Sequence, residues 1–346
     1  MSLIKSQKRK NKLKHFIFEL TQECNQNCVF CYNVWKHNNY PKGILSIDEW
    51  KKIVLKLKEE TKVNLISISG GEPLLYSNLF ELIEFIRSQK IKINFLTNGS
   101  LIDEKTAERL TRYNISIFEI PLVSNNKNTH FKLKGTNDLD KVVEGIANIQ
   151  SFDGKIITSF VATKHNINDL KETVEFGIAL GSSGLMFNRI NPGCKNQIKL
   201  MPTLDQLDNS LELLNNFSKE YEYPISCSIP IQPCLINIEK KYPKLSYGYC
   251  PSGNESSYYT IDSVGNVKIC NHTPTILGNI FKGTFSEIIK NEFVDKFKQV
   301  LPNECVSCNY SQNCRGGCKA AAQVCFGNLH YNDPFFEVNK NLQGIV

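Results

Sequence analysis

Thr21-Gln22-Glu23-Cys24-Asn25-Gln26-Asn27-Cys28-Val29-Phe30-Cys31-Tyr32 sets three cysteines in one short loop directly after the apolar run 15–20. Soft thiolates at this density favour iron-sulfur clusters, copper(I) or zinc. A four-iron cluster normally takes four cysteines, so three of them leave one iron open to an outside ligand. A zinc knuckle and three unrelated core cysteines are the competing readings.

Around this loop, apolar runs of strand length alternate with amphipathic runs of helix length between residues 15 and about 222. That rhythm predicts repeated βα units on a parallel sheet. Strands are expected at 15–20, 65–69, 91–96, 116–123, 156–162 and 185–188, with helices after them at 77–89, 103–113, 139–150, 170–180 and 204–221. Ser46-Ile47-Asp48-Glu49 reads as a capping box opening one more helix, whose Trp50, Ile53, Val54 and Leu57 share a face. Six units are too few for a closed eight-fold barrel, so the fold class is α/β, a partial (β/α)6 TIM-like barrel with an open side. Past Pro224 the chain turns to short strands, Pro, Gly and Cys, with a hairpin at 258–269 and a helix at 285–298. The expected organisation is a basic tail at 1–14, the barrel at 15–222 and a cysteine-rich domain at 223–346, sharing an interface rather than a tether.

Composition narrows the function classes. The chain has 346 residues, 41% hydrophobic and 22% charged, ordinary for a globular protein. No apolar stretch reaches the eighteen or so residues of a membrane span, and no signal peptide opens the chain, so a cytoplasmic protein is expected. Thirteen cysteines in a reducing compartment point to metal or catalysis. The net charge of +7 is nearly accounted for by Lys5, Lys8, Arg9, Lys10, Lys12 and Lys14, and no aromatics interleave with them, which argues against a nucleic-acid substrate.

Cys24 follows the first strand and Gly70-Gly71-Glu72-Pro73 follows the second, so both lie at the barrel mouth where such folds place active sites. The glycines let backbone approach a ligand closely, and Glu72 offers an acceptor to an ammonium group. Together the two motifs resemble the radical S-adenosylmethionine superfamily, over residues 15 to about 200. The resemblance implies that Cys24, Cys28 and Cys31 ligate a catalytic 4Fe-4S cluster, that Phe30 lies beside the adenine of S-adenosyl-L-methionine, and that Gly70, Gly71 and Glu72 bind its methionine amino group. It further implies one-electron cleavage of that cofactor to a 5'-deoxyadenosyl radical. A Ser and a basic residue after the fourth strand help in many relatives. Here Pro121 stands in the first place, leaving Ser124 and Lys134 as the corresponding candidates, with Asn98 and Asn188 at strand ends as further polar contacts.

A second pattern, Cys250-x14-Gly265-x4-Cys270 and then Cys305-x2-Cys308-x5-Cys314-x3-Cys318-x6-Cys325, resembles the SPASM extension of radical enzymes that modify peptides and proteins. A pair of zinc ribbons is the alternative. By resemblance, Cys250, Cys270 and Cys318 hold a first auxiliary cluster and Cys305, Cys308, Cys314 and Cys325 a second. Cys234 is the candidate fourth ligand of the first, while Cys194 and Cys227 are expected to be buried thiols. Arg315, Gly316 and Gly317 suit tight packing and N–H donation to sulfide, and Lys319 is expected to face solvent.

The implied activity is hydrogen abstraction from a peptide or small-protein substrate, giving a crosslink, a thioether or an oxidised residue. Only 23 residues precede Cys24, so a separate leader-binding protein is an expected partner, alongside a reductant such as flavodoxin or ferredoxin. Rival readings are an anaerobic sulfatase-maturating enzyme, for which no acidic general base stands out, a haem or quinone cofactor maturase, and a non-catalytic metal scaffold.

Overall fold

Strict alternation along His15–Glu19 (β1) sends Phe16 and Phe18 to one face and His15, Ile17 and Glu19 to the other. The same split recurs in Leu65–Ser69 (β2), Lys92–Leu96 (β3) and Ile117–Pro121 (β4). In the computed structural model, which describes residues 15–36, 39–254 and 257–340, one face supplies Phe16, Phe18, Ile66, Ile68, Ile93, Phe95, Phe118 and Ile120 to a single apolar core under the helices. The opposite, inner face carries His15, Glu19, Ser67 and Glu119. Barrels of this kind usually fill the interior with branched apolar side chains; here these polar groups stand among apolar ones such as Ile17, Leu65 and Ile117.

Ile156–Ala162 (β5), Leu185–Arg189 (β6), Ile225–Cys227 (β7) and Ser246–Tyr247 (β8) continue the parallel run. Two short strands beyond residue 222 therefore lengthen the six-strand series. Tyr259–Ile261 (β9), Asn266–Lys268 (β10) and Gly278–Asn279 (β11) come from the cysteine-rich region. β9 pairs in parallel with β1, giving one 11-stranded sheet in the order β11-β10-β9-β1-β2-β3-β4-β5-β6-β7-β8. The expected interface between the two regions is thus a continuous hydrogen-bonded ladder.

The capping box forms as expected: Ser46 accepts from the Glu49 amide, and helix Ile47–Glu60 buries Trp50, Ile53, Val54 and Leu57. Trp50 stacks on Phe18 at 4.7 Å between ring centroids. Helix Leu204–Tyr221 also keeps its predicted bounds, opened by a second capping box at Thr203 and Gln206. The helix expected at 285–298 is instead two pieces, Phe285–Ile288 and Glu292–Gln299, because Asn291 caps a fresh start with its side chain. The basic run 1–14 lies outside the described residues. No helix among the described residues is long and apolar enough to cross a membrane.

Two buried ion pairs tie the regions together. Glu19 on β1 accepts from Lys268 on β10 at 3.0 Å, and Arg189 on β6 pairs with Asp333 at 2.5 Å with neither side chain exposed. Asp333 also accepts from the Cys318 amide at 2.8 Å, so this pair fixes the cysteine loop to the barrel.

Candidate active site

The Cys24–Cys31 loop is held by backbone on both sides. The Gly71 amide donates to Thr21 O and the Glu72 amide to Glu23 O, each at 2.8 Å. A Cβ on Gly71 would lie 1.9 Å from Glu23 O, and one on Gly70, whose φ is +133°, would lie 2.6 Å from Thr21 O. The two glycines are therefore demanded by the approach of one loop to the other. On the far side, the Asn27 and Val29 amides donate to Lys134 O and Leu133 O at 3.0 and 2.9 Å. These carbonyls end helix Lys127–Lys134, a segment absent from the sequence-based expectation; Asn126 caps its start and left-handed Gly135 ends it. Its buried face includes the polar His130 and Lys134, which hides the usual periodicity, and the Asn and Gly caps are the signal that could have found it.

The three thiols lie within electrostatic reach of one another, Cys24 of Cys28, Cys28 of Cys31 and Cys31 of Cys24. Burial pushes all three upward, opposed by Lys36 and, at Cys28, by Lys134. Thiolates in this setting are stabilised by metal rather than by solvent. Glu72 is fully buried, and burial raises its carboxyl above the ordinary range against the pull of its donors. Its oxygens accept from Thr97 Oγ1 at 2.8 Å, the Asn98 amide at 2.8 Å and the Leu74 amide at 3.2 Å. Asn98 also donates through its side chain to Asn25 Oδ1 at 2.7 Å, tying the third strand's end to the cysteine loop.

Lys134, almost completely buried, donates to Gln26 Oε1 at 3.2 Å and has its Nζ 5.9 Å from the centre of the Phe30 ring. Gln26 in turn donates to Asp138, which also bonds His130. Phe30, Gly70, Gly71, Glu72, Asn98 and Lys134 thus gather at the loop. Ser124 and Asn188 are otherwise engaged. The Ser124 hydroxyl donates to Asp169 at 2.6 Å, and Asn188 Oδ1 caps the backbone at Ser228 and Ile229.

Tyr32, next to Cys31, leads toward the C-terminal cysteines. Its ring stacks on His272 at 5.2 Å, and its hydroxyl accepts from Asn271 Nδ2 at 2.5 Å. Both partners directly follow Cys270. The His272 Nε2–H donates to Pro192 O, so Nδ1 accepts from Asn191; burial holds this imidazole down at about 4 and neutral. Asn191 also donates to Cys318 Sγ at 3.3 Å. Cys250 lies within electrostatic reach of Cys270, and both act on Cys318, as three thiols around one centre should. Glu119, on the inner face near Tyr32, is a carboxyl that the sequence reading missed; burial raises it, tempered by the Ser159 hydroxyl. A lone acid inside the alternating run Ile117-Phe118-Glu119-Ile120-Pro121 was its signal.

Cys194 and Lys319 depart from their expected burial and exposure. Cys234 lines one pocket with Cys305, Cys308 and Cys314. Cys325 is absent from that pocket's wall, and its charged neighbours are Asp333 and Cys194. Cys194 is partly exposed at the start of the turn Lys195–Leu200, whereas Cys227 is a buried core thiol. Lys319 is buried, because its ammonium caps the end of helix Glu292–Gln299 by donating to Phe297 O at 2.7 Å and to Val300 O. Burial lowers it to about 8. Arg315, Gly316 and Gly317 all have positive φ, which aims the Gly316 and Gly317 amides at Cys314.

Among the described residues no three Cys, His, Asp or Glu side chains converge on one ion-sized point. A four-iron cluster needs no such convergence, since it spreads its thiolates over separate irons. The front loop fits that group and its cofactor: three mutually close thiols, and beside them a buried carboxylate.

Comparison with known proteins agrees with this chemistry. The Radical SAM superfamily description matches residues 18–177, and the SPASM iron-sulfur cluster-binding domain matches residues 250–319. The chain is 25% identical to the AdoMet-dependent heme synthase of Methanosarcina barkeri, over 92% of this chain and 94% of that one. It is 27% identical to mycofactocin maturase MftC of Mycobacterium tuberculosis, over 88% and 78% of the two chains. Its fold matches Streptococcus suis SuiB, solved bound to the precursor peptide SuiA, with a TM-score of 0.72 at 18% identity, covering 93% of this chain and 75% of that one. Residues 18–177 are thus a radical S-adenosylmethionine domain and residues 250–319 a SPASM domain for auxiliary clusters, marking a radical enzyme that binds that cofactor and a 4Fe-4S cluster.

Proposed function

We propose that this enzyme removes hydrogen from a carbon of a peptide or small-protein substrate, leaving a crosslink, a thioether or an oxidised residue. The observation that carries the reading is the group of polar side chains between the front cysteine loop and Cys270: Tyr32, stacked on His272, with the carboxyls of Glu19 and Glu119 near it. A backbone-bearing substrate needs hydrogen-bonding partners of this kind when it leaves water. The relation to MftC and the fold shared with peptide-bound SuiB support it.

The cluster and S-adenosylmethionine, when bound, supply the one-electron bond cleavage that makes a hydrogen-abstracting carbon radical. The chain's own residues position that chemistry. Cys24, Cys28 and Cys31 would hold the cluster, and Glu72 would accept from the cofactor's ammonium with Gly70 and Gly71 beside it. Phe30 and Lys134 would flank its nucleoside end, and Asn98 keeps the loop in register. Tyr32 joins the loop to the Cys270 region through its stack on His272 and its bond from Asn271. Electrons would arrive from a reductant of the flavodoxin or ferredoxin type, and a separate leader-binding protein would present the peptide.

Modification of a porphyrin is the second reading, favoured by the match over almost the whole length of the heme synthase. The test is anaerobic incubation with S-adenosylmethionine and dithionite beside either a genome-neighbouring precursor peptide or a porphyrin. The peptide reading expects hydrogen loss from the peptide by mass spectrometry; change in the porphyrin alone contradicts it.

A further inference from the structure

Gln232, Pro233 and Cys234 form a turn in which the Leu235 and Ile236 amides donate back to Gln232 O at 2.9 and 3.0 Å. The turn forms one wall of a pocket whose other walls include Cys305, Cys308, Cys314 and Gly316. The space between these side chains, part of it open to solvent, is about 300 Å³. Four thiols therefore face one cavity, drawn from two segments about seventy residues apart. Their mutual influence agrees: Cys305 feels Cys314, Cys308 and Cys234, and Cys314 feels Cys234.

A second, independent observation marks the same cavity. Gln232 is 1% exposed, yet neither its amide nitrogen nor its oxygen has a protein partner. A buried amide left unpaired is costly, so such a group in a pocket wall signals a missing acceptor. Sulfide and thiolate sulfur accept N–H bonds, and such bonds tune a cluster's potential. Gly317 must be glycine beside it, since a Cβ there would lie 2.1 Å from Gln232 Nε2.

We infer that Cys234 is the fourth thiolate of the auxiliary cluster held by Cys305, Cys308 and Cys314, with the Gln232 amide donating to a sulfur of that cluster. Cys325 then lies outside the ligand set, and the first auxiliary cluster keeps three cysteines, Cys250, Cys270 and Cys318. This rests on the chain binding auxiliary clusters at all, and the experiment separates the two.

Anaerobically reconstituted full-length protein would be compared as wild type, Cys234→Ser, Cys325→Ser and Gln232→Met by iron and sulfide analysis, EPR and Mössbauer spectroscopy. Wild type should carry about twelve irons, four per cluster. Cys234→Ser should lose at least about one of them or convert one cluster's spectrum to a three-iron form, while Cys325→Ser keeps the wild-type count and spectrum. Gln232→Met should keep the iron but lower one cluster's potential, because loss of an N–H bond to sulfur disfavours the reduced state. A wild-type count near twelve, with loss confined to Cys325→Ser or with none in Cys234→Ser, overturns the assignment alone. A wild-type count near four overturns the auxiliary clusters and the assignment together.

Discussion

The front thiols come from one loop, Cys24 to Cys31, whereas those of the C-terminal region are gathered from positions between 234 and 325. The front loop is shaped by backbone: glycines on one side, the end of helix Lys127–Lys134 on the other. The rear pockets are shaped by side chains, above all the Arg189–Asp333 pair and the Asn191 and His272 contacts. A loop held by backbone tolerates side-chain change away from its ligands, while an assembly held by a buried ion pair depends on a few distant residues. The two should therefore fail in different ways.

The largest effect should follow loss of a front ligand. Cys28→Ala is expected to abolish 5'-deoxyadenosine release and remove about four irons, leaving the auxiliary spectra intact; iron analysis with EPR checks both. Next is the rear assembly. Arg189→Met strands the buried Asp333 carboxylate, which should cost about 3–5 kcal/mol in urea unfolding and reduce auxiliary iron while the front spectrum persists. If instead the front cluster alone suffered, the contrast between the two regions would break.

Glu72→Gln sharpens the front half. The amide oxygen can keep the bond from the Asn98 amide, but the NH2 accepts from neither Thr97 nor Leu74 and the charge is lost, so the cluster should stay while S-adenosylmethionine binds about 10–100-fold more weakly, the cost of a charged hydrogen bond. Equilibrium binding on the reconstituted enzyme measures this. The smallest effect concerns His15, which opens the strand carrying the front loop. Burial lowers it from 6.5 to about 4, and its Nε2 meets Ser67 Oγ at 2.8 Å. Between those values the unfolded chain binds the extra proton. Stability is therefore complete above pH 6.5 and falls as pH drops toward 4, by on the order of 2 kcal/mol. His15→Gln should flatten that part of the profile.

The same contrast explains what the sequence disclosed. Strands β2 and β5 and helix Leu204–Tyr221 match their predicted bounds because apolar alternation and a capping box are local signals. The front motif was legible for the same reason, as its residues lie on consecutive βα units. Helix Lys127–Lys134 was not, since it buries His130 and Lys134 against a polar network rather than an apolar core. The placing of Cys234 was illegible because only tertiary folding brings it to Cys305, and Lys319 misled because a charged residue was read as solvated when it caps a neighbouring helix. That β9 completes the sheet beside β1 likewise depends on a pairing between residues far apart in the chain.

The central claim is that three front thiolates leave an iron free to bind and cleave S-adenosylmethionine. Reduction of the anaerobically reconstituted wild-type enzyme with dithionite in the presence of that cofactor, followed by chromatography, tests it most directly. Steady formation of 5'-deoxyadenosine and methionine is the expected result. A fully loaded front cluster that yields neither product would contradict it.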